Sequence, residues 1–327
     1  MQPDIQDICA QIRYQHRQRV YAMDQRKRAD LALGSFLRMV LGWRLDLPKA
    51  EADAIKAKAA FLVDIGADLA KQSAKPVEKQ KVVIGLDDHD FIEWQNLIMA
   101  SIKARSPFDN IEAATTKEME RLAVQLPAWS DFGQHVRGFG ARSLAVIVAE
   151  AGDLSAYPKK GHLWKRMGLA VMDGVRQGGL SKSASKQDWI EHGYNGERRS
   201  RMFVIGDTMI KSGDTYRAVY LARKDYERQR AEASGLIVAP SAKIPAKRKD
   251  EFVSDGHIHR RAQRYMEKRL LRDLWQAWRW AQAGVPDRAK VLLPAAETNH
   301  REANLGMPEM AVGQLPIGDP NEMAALP

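Results

Sequence analysis

The stretch "HVRGFGARSLAVIVAEAGDL", residues 135–154, decides how the chain is read. Two glycines one residue apart, Gly138 and Gly140, stand ahead of a run of helix formers, with Arg137 and Arg142 beside them. Glycine tolerates positive φ and lets another backbone come close, so the pair predicts a tight reversal. The following "ARSLAVIVAEAG" places Leu144, Ile147, Val148 and Ala151 on one face of a helix. The helix start carries free N–H groups and the positive end of the dipole, which together form an anion site. Arg142 and Ser143 fall in its first turn. Two readings follow: a packed turn, or a hairpin that offers its backbone to a phosphate, as a helix-hairpin-helix does without reading bases.

Working outward, the pattern is helical on both sides. Residues 3–75 read as two long helices with a dense basic segment from Arg13 to Arg28, a helical arm that could drive homo-oligomerisation. "KPVEKQ" (75–80) is a polar break, and residues 76–130 read as a helical connector. Within it, "KVVIGLDDHD" (81–90) has the look of a nuclease strand ending in a metal-holding aspartate. No alternating strands follow to build a sheet, so Asp88 and Asp90 are expected as helix caps. A further helix is expected over 110–126, started by Thr115 or Thr116 with Glu118 or Glu120 and ended by Pro127.

Residues 131–232 read as the core domain that carries the hairpin. The segment 233–256, rich in Pro, Ala, Lys and Ser, reads as a linker. A basic amphipathic helix is expected over 257–283, and residues 284–327, with six prolines and no periodicity, are expected to be disordered. The fold class is therefore all-α.

The 327 residues carry 51 Lys and Arg against 41 Asp and Glu, a net charge of +10. A basic balance favours a polyanion, because Lys and Arg displace the counterions of a phosphate backbone. The cations gather beside glycine turns. Lys159, Lys160, Lys165 and Arg166 follow the hairpin, and Arg198, Arg199 and Arg201 open a later helix. On the last helix Arg261, Arg264, Lys268, Arg272 and Arg279 recur at spacings of three, four, four and seven, which is one stripe. Ala262, Met266, Leu270, Leu274, Ala277 and Trp278 form the apolar stripe, with Glu267 and Asp273 on the flanks. Trp275, Trp278 and Trp280 read as core anchors.

Candidates for catalysis are few. The single cysteine, Cys9, excludes an internal disulfide and a cysteine-based zinc site. His257 and His259 point to different helix faces, which suits a metal poorly, and no metal or cofactor is expected; Mg²⁺ would require a nuclease site not visible here. Ser181 and Ser183 lie in a polar loop. No run of about 18 apolar residues spans a membrane, and the first residues lack an apolar signal core, so a cytoplasmic protein without a membrane partner is expected.

"VRGFGARSLAVIVAEAGDLSAYPKKGHLWKRMGLAV" resembles the C-terminal domain of the insertion-sequence transposases that carry a DEDD catalytic domain, the IS116/IS110/IS902 type. The resembling features are Gly138 and Gly140, the helix 141–151, Gly152-Asp153, Tyr157 with Lys159, and Gly168-Leu169. "HGYNGERRSRMFVIGD" is similar to a looser later element through Gly193, Asn195 and Arg198 or Arg199. The resemblance covers residues 130–225. It implies DNA transposition and recombination, with a nucleophilic serine in a Ser-Gly step. Here that step reads "RQGG" (176–179), with Ser181 and Ser183 out of register, and the family's acidic tetrad is not evident. The expectation is a DNA-binding protein related to mobile-element transposases, gripping duplex DNA without an intact nuclease domain; structured RNA is an alternative partner. An active serine-dependent recombinase and a helical partner-binding protein are the alternatives, so whether it is an enzyme stays open.

Overall fold

The computed structural model describes residues 4–172, 174–181 and 183–284. Among them the chain is all-α, with ten α-helices and four strands of two or three residues. The expected disordered tail, 284–327, lies outside the described residues except for Gly284. The chain divides into two compact units, residues 14–118 and the remainder, and the division falls inside two helices.

The smaller unit holds most of α1 (Ile5–Val40), all of α2 (Lys49–Ser73) and most of α3 (His89–Ala123). Its core is Leu33, Leu37, Ala59, Leu62, Ile65, Phe91 and Ile98. Gly66 admits Ile102, whose Cδ1 would meet an added Cβ at 2.8 Å. The basic segment of α1 meets an acid of α3, Arg19 pairing with Glu112 at 3.2 Å and Arg26 with Glu112 at 2.7 Å, and a pair of opposite sense, Asp30 of α1 with Arg105 of α3 at 2.8 Å, joins the same helices. Much of the N-terminal positive charge is thus spent inside this unit.

Two expectations are corrected here. The helix expected to start near residue 110 does not start there, because α3 runs unbroken from His89 through Pro107. Proline forfeits one helical hydrogen bond, but Arg105 ties the helix beside it by holding both Asp30 and Asp109. Thr115 is a buried interior residue whose hydroxyl donates to Ile111 O, and Thr116 Oγ1 accepts from Arg19 Nε. The capping role expected of Asp88 is present, since its Oδ1 accepts from Phe91 N at 3.3 Å. Asp90 lies one residue inside α3 and pairs with Lys58 instead.

The larger unit contains α4 (Pro127–Asp131), α5 (Ala141–Ala151), α6 (Lys160–Arg166), α7 (Lys186–His192), α8 (Gly196–Ser212), α9 (Thr215–Ala233) and α10 (Asp255–Gln282). Strands β1 (Val171–Met172) and β2 (Val175–Arg176) form an antiparallel hairpin. The 233–256 segment, expected as a linker, is structured: β3 (Ile237–Ala239) and β4 (Phe252–Ser254) pair in parallel, joined by a twelve-residue crossover with two 3-10 turns. Parallel neighbours need about a dozen connecting residues, so a lysine- and proline-rich crossover can look like a linker.

Helix α10 is the axis of this unit. Its apolar stripe is buried as its spacing demands, from Ala262 through Met266, Leu270 and Leu274 to Trp278. Trp278 Nε1 donates to Asp153 Oδ1 at 2.8 Å and Trp275 Nε1 to Tyr157 O at 2.9 Å, which ties the helix to the turn after α5. Glu267 and Asp273 are not on the flanks: both are fully buried beneath the helix. No helix among the described residues is long and apolar enough to cross a membrane.

Candidate nucleic-acid interface

The two glycines of the opening stretch do different things. Gly138 has φ +86° and sits against α8, where an added Cβ would lie 2.8 Å from Ser212 Cβ. Phe139 turns inward against Phe132, with ring centroids 6.1 Å apart. Gly140 is the N-cap of α5, with extended backbone, no side-chain cap and nothing within 4 Å of an added Cβ. The segment before them is the five-residue α4 and a 3-10 turn, so α5 is the full-length helix of the hairpin. Gly138→Ala is expected to cost about 1–2 kcal/mol, from positive φ and the clash with Ser212. Gly140→Ser is expected to be neutral or stabilising by up to about 1 kcal/mol, as a serine at this φ/ψ caps the helix. Urea midpoints of the two variants check this; equal costs would show that both glycines are packing residues.

Most arginines expected to track phosphate are engaged internally. Arg142 pairs with Glu120 at 2.8 Å on the surface, and Ser143 is half-buried, its N–H turned to Gly140 O. Arg198 and Arg201 of α8 both hold Glu150, which is buried in the last turn of α5. Arg166 donates to Glu150 O at 2.8 Å, and its own carbonyl accepts from Arg198. Burial, then the neighbouring Arg198, pulls the Arg166 guanidinium below its ordinary range. Arg272 donates to Asp273, and Arg261 reaches Glu227 at 3.4 Å. Lys160 and Lys268 lie over the same ring, Trp164, at 5.7 and 5.4 Å. Lys159 and Lys165 are exposed.

A different grouping emerges around the start of α8. Arg199 reaches inward to Glu267, with Nη1 2.9 Å from Oε2, but the N–H is not aligned as a hydrogen bond. Gly206 makes room for this carboxylate, since an added Cβ would lie 2.6 Å from Glu267 Oε1. Burial pushes the Glu267 carboxyl up to about 7, against the opposing pull of Arg199. Arg264, one turn earlier on α10, is half-buried with no ion pair or hydrogen-bond acceptor among the described residues. Burial lowers its pKa first, and repulsion from Arg199 and then Arg176 lowers it further. His257 is drawn down by burial and then by Arg261, Arg260, Arg176 and Arg264. Cations from β2, α8 and α10 therefore converge where the acid that could neutralise them ionises only near neutral pH.

Arg176 does not stand out in the sequence, where "RQGG" is conspicuous for the serine it lacks. The residue is fixed by its neighbours. Gln177 is buried, accepts from Ala170 N at 2.9 Å and donates to Lys165 O and His192 O. Gly178, at φ +75°, lets Tyr194 close over the same turn. An arginine inside a two-residue strand was the available signal, but its neighbours Arg199, His257 and Arg264 are more than 20 residues away in sequence.

The chemistry-bearing candidates gather less. Ser181 and Ser183 are exposed, with hydroxyls 2.7 Å from each other. Ser185 belongs to a capping box with Asp188 at the start of α7. His259 Nδ1 is 2.8 Å from the Tyr220 hydroxyl, and Cys9 is buried with its thiol pushed up to about 12, chiefly by desolvation. His89, Asp90 and Glu93 are near enough to share a cation, but they lie on an exposed helix start with Asp90 already on Lys58. No family model, curated protein or solved structure matches this chain.

Proposed function

We propose that this chain binds the phosphate backbone of duplex DNA and that Arg176, Arg264 and Arg261, with Arg199 behind them, make the principal grip. The observation that carries this is Arg264: a half-buried guanidinium with no ion pair or hydrogen bond to an acid among the described residues, on which the repulsion of Arg199 and Arg176 outweighs the pull of buried Glu267. A fold gains nothing from such repulsion, and buried charges are ordinarily paired. A phosphodiester supplies the missing anion. The uncapped start of α5 at Gly140 is a second backbone contact. It meets the far end of α8 through Gly138 and Ser212, and the 17 residues of α8 span about 25 Å. That length covers several base pairs, so two phosphate contacts along one duplex are accommodated without base readout. Kinship with mobile-element transposases is part of the proposal and rests on the motif order from Gly138 to Leu169.

Filter binding of the full chain to a duplex across a salt series tests the reading. Affinity should fall steeply with salt, and Arg176→Ala with Arg264→Ala together should lower the slope of log K against log salt by about 2, near 0.9 per lost phosphate contact. Stability should hardly change, because removing Arg264 relieves repulsion. Binding that is absent at low salt, or a slope that the double variant leaves unaltered, sinks the proposal.

A second reading is favoured by the 14–118 unit, which exposes Leu31, Met39, Leu45, Val82 and Ile84. Self-association through this unit would cover these side chains, as contiguous apolar patches do at protein interfaces. Light scattering of the full chain at two concentrations should show a defined oligomer; a monomer at both rejects it.

A further inference from the structure

Beside the arginine grouping, and sharing Arg261 with it, lies a cleft of about 520 Å³. Its walls are the β3–β4 crossover and the first turns of α10. Leu236, Ile244, Phe252 and Val253 contribute apolar lining, Lys249 and Arg261 contribute cations, His257 contributes an imidazole held neutral by burial and the neighbouring arginines, and Asp250 is the acid among them. Lys249 has no ion pair among the described residues. Arg261 holds Glu227 only at 3.4 Å and stays half-exposed, which leaves donors for a ligand. The parallel pairing of Ile237 with Phe252 through Ala239 with Ser254 closes the crossover at both ends, and Pro240 and Pro245 stiffen its two turns. The cleft is therefore formed before anything enters it.

Apolar and cationic side chains lining one cleft, in a volume within the usual range for small-ligand sites, ask for a planar apolar group joined to an anion. The volume of about 520 Å³ suits one unpaired nucleotide. We infer that the cleft receives a single nucleotide as its 5′-monophosphate, with the phosphate at Lys249, His257 and Arg261 and the base against Phe252, Ile244 and Leu236. Two sources share that chemistry: the 5′-phosphorylated end of a strand and a free mononucleotide. This inference rests on the duplex-binding proposal for the first source and stands apart from it for the second. His257 and Arg261 belong both to the cleft and to the cation field around Arg264, so a strand end in the cleft continues into a duplex on the arginine face.

The test uses the full chain and fluorescence anisotropy with a 3′-labelled duplex bearing a three-nucleotide 5′ overhang, phosphorylated or hydroxyl-ended, and a blunt duplex beside it. Deoxyadenosine 5′-monophosphate serves as the free probe in a thermal-shift series. The phosphorylated overhang should bind at least fivefold more tightly than the hydroxyl end. Lys249→Gln, and Ser241→Trp, which fills the cleft from its rim, should each erase that preference while leaving blunt-duplex affinity unchanged. Blunt-duplex binding with no preference for the phosphorylated end and no shift with the mononucleotide overturns the cleft and leaves the duplex reading standing. A shift with the mononucleotide, lost in both variants, supports the cleft even where no duplex binds, a result that overturns the duplex reading alone. Neither duplex binding nor a mononucleotide shift overturns both.

Discussion

Asp273→Ala is expected to cost about 3–5 kcal/mol of stability, enough to unfold much of the population in a protein of ordinary margin. Asp273 is fully buried beneath α10. Its Oδ2 accepts from the Tyr216 hydroxyl at 3.0 Å and Arg269 Nε at 3.2 Å, and its Oδ1 accepts from Arg272 Nε at 2.9 Å. Burial raises its pKa against the pull of both arginines, so the carboxylate itself is held at a cost. What makes the residue indispensable is what it leaves behind. Alanine strips the acceptor from a phenol that is fully buried and from Arg272, whose side chain is one-fifth exposed. Stranding such groups costs more than the net value of the pair. Tyr216→Phe removes only one donor and should cost about 1 kcal/mol. Urea denaturation of the three proteins decides it. An alanine variant within about 1 kcal/mol of the parent would mean the site relaxes onto other acceptors.

The contrast between the two faces of α10 shows what a sequence can display. Its apolar stripe was legible because burial of Ala262, Met266, Leu270 and Trp278 repeats with the helical period. The depth of Glu267 and Asp273 was not legible. An acid next to an arginine stripe reads as a flank until Arg199 and Tyr216 arrive from other helices to receive it. The same limit explains α3. Threonine and glutamate in the order of a capping box signal a helix start, but ion pairs to α1 and packing on Ile98 carry one helix through Pro107. In the hairpin, the pair of glycines was legible as a turn before a helix, and their division of labour required α8 in place. The basic clusters were counted correctly as charge but not as availability. Arg198 and Arg201 are structural cations on Glu150, whereas the unpartnered Arg264 stood in the sequence as one of five equals.

Glu267 gives the second large effect, and its sign is unusual for a carboxyl. Its folded pKa is about 7 against an ordinary value of 4.5, with burial as the dominant cause. Between those values the folded chain keeps a proton that the unfolded chain has released, so stability falls as pH rises through the window. At about 1.36 kcal/mol per pH unit the loss amounts to about 3 kcal/mol between pH 4.5 and 7. Glu267→Gln holds the side chain in a form that resembles the protonated acid. The variant should therefore show a flatter profile, no more stable than the parent near pH 4.5 and more stable at pH 8, by up to about 3 kcal/mol. The same proton bears on binding. When Glu267 is neutral, the grouping of Arg176, Arg199 and Arg264 gains one unit of net positive charge, so duplex affinity should rise as pH falls through 7 in the parent, whereas the variant should lack that step and show only the later rise as His257, drawn below its ordinary range, takes up its proton. Urea midpoints and filter binding at pH 5, 6, 7 and 8 read both effects. Parallel stability profiles for the two proteins would show that Glu267 stays ionised under α10 and that Arg199, not burial, governs it.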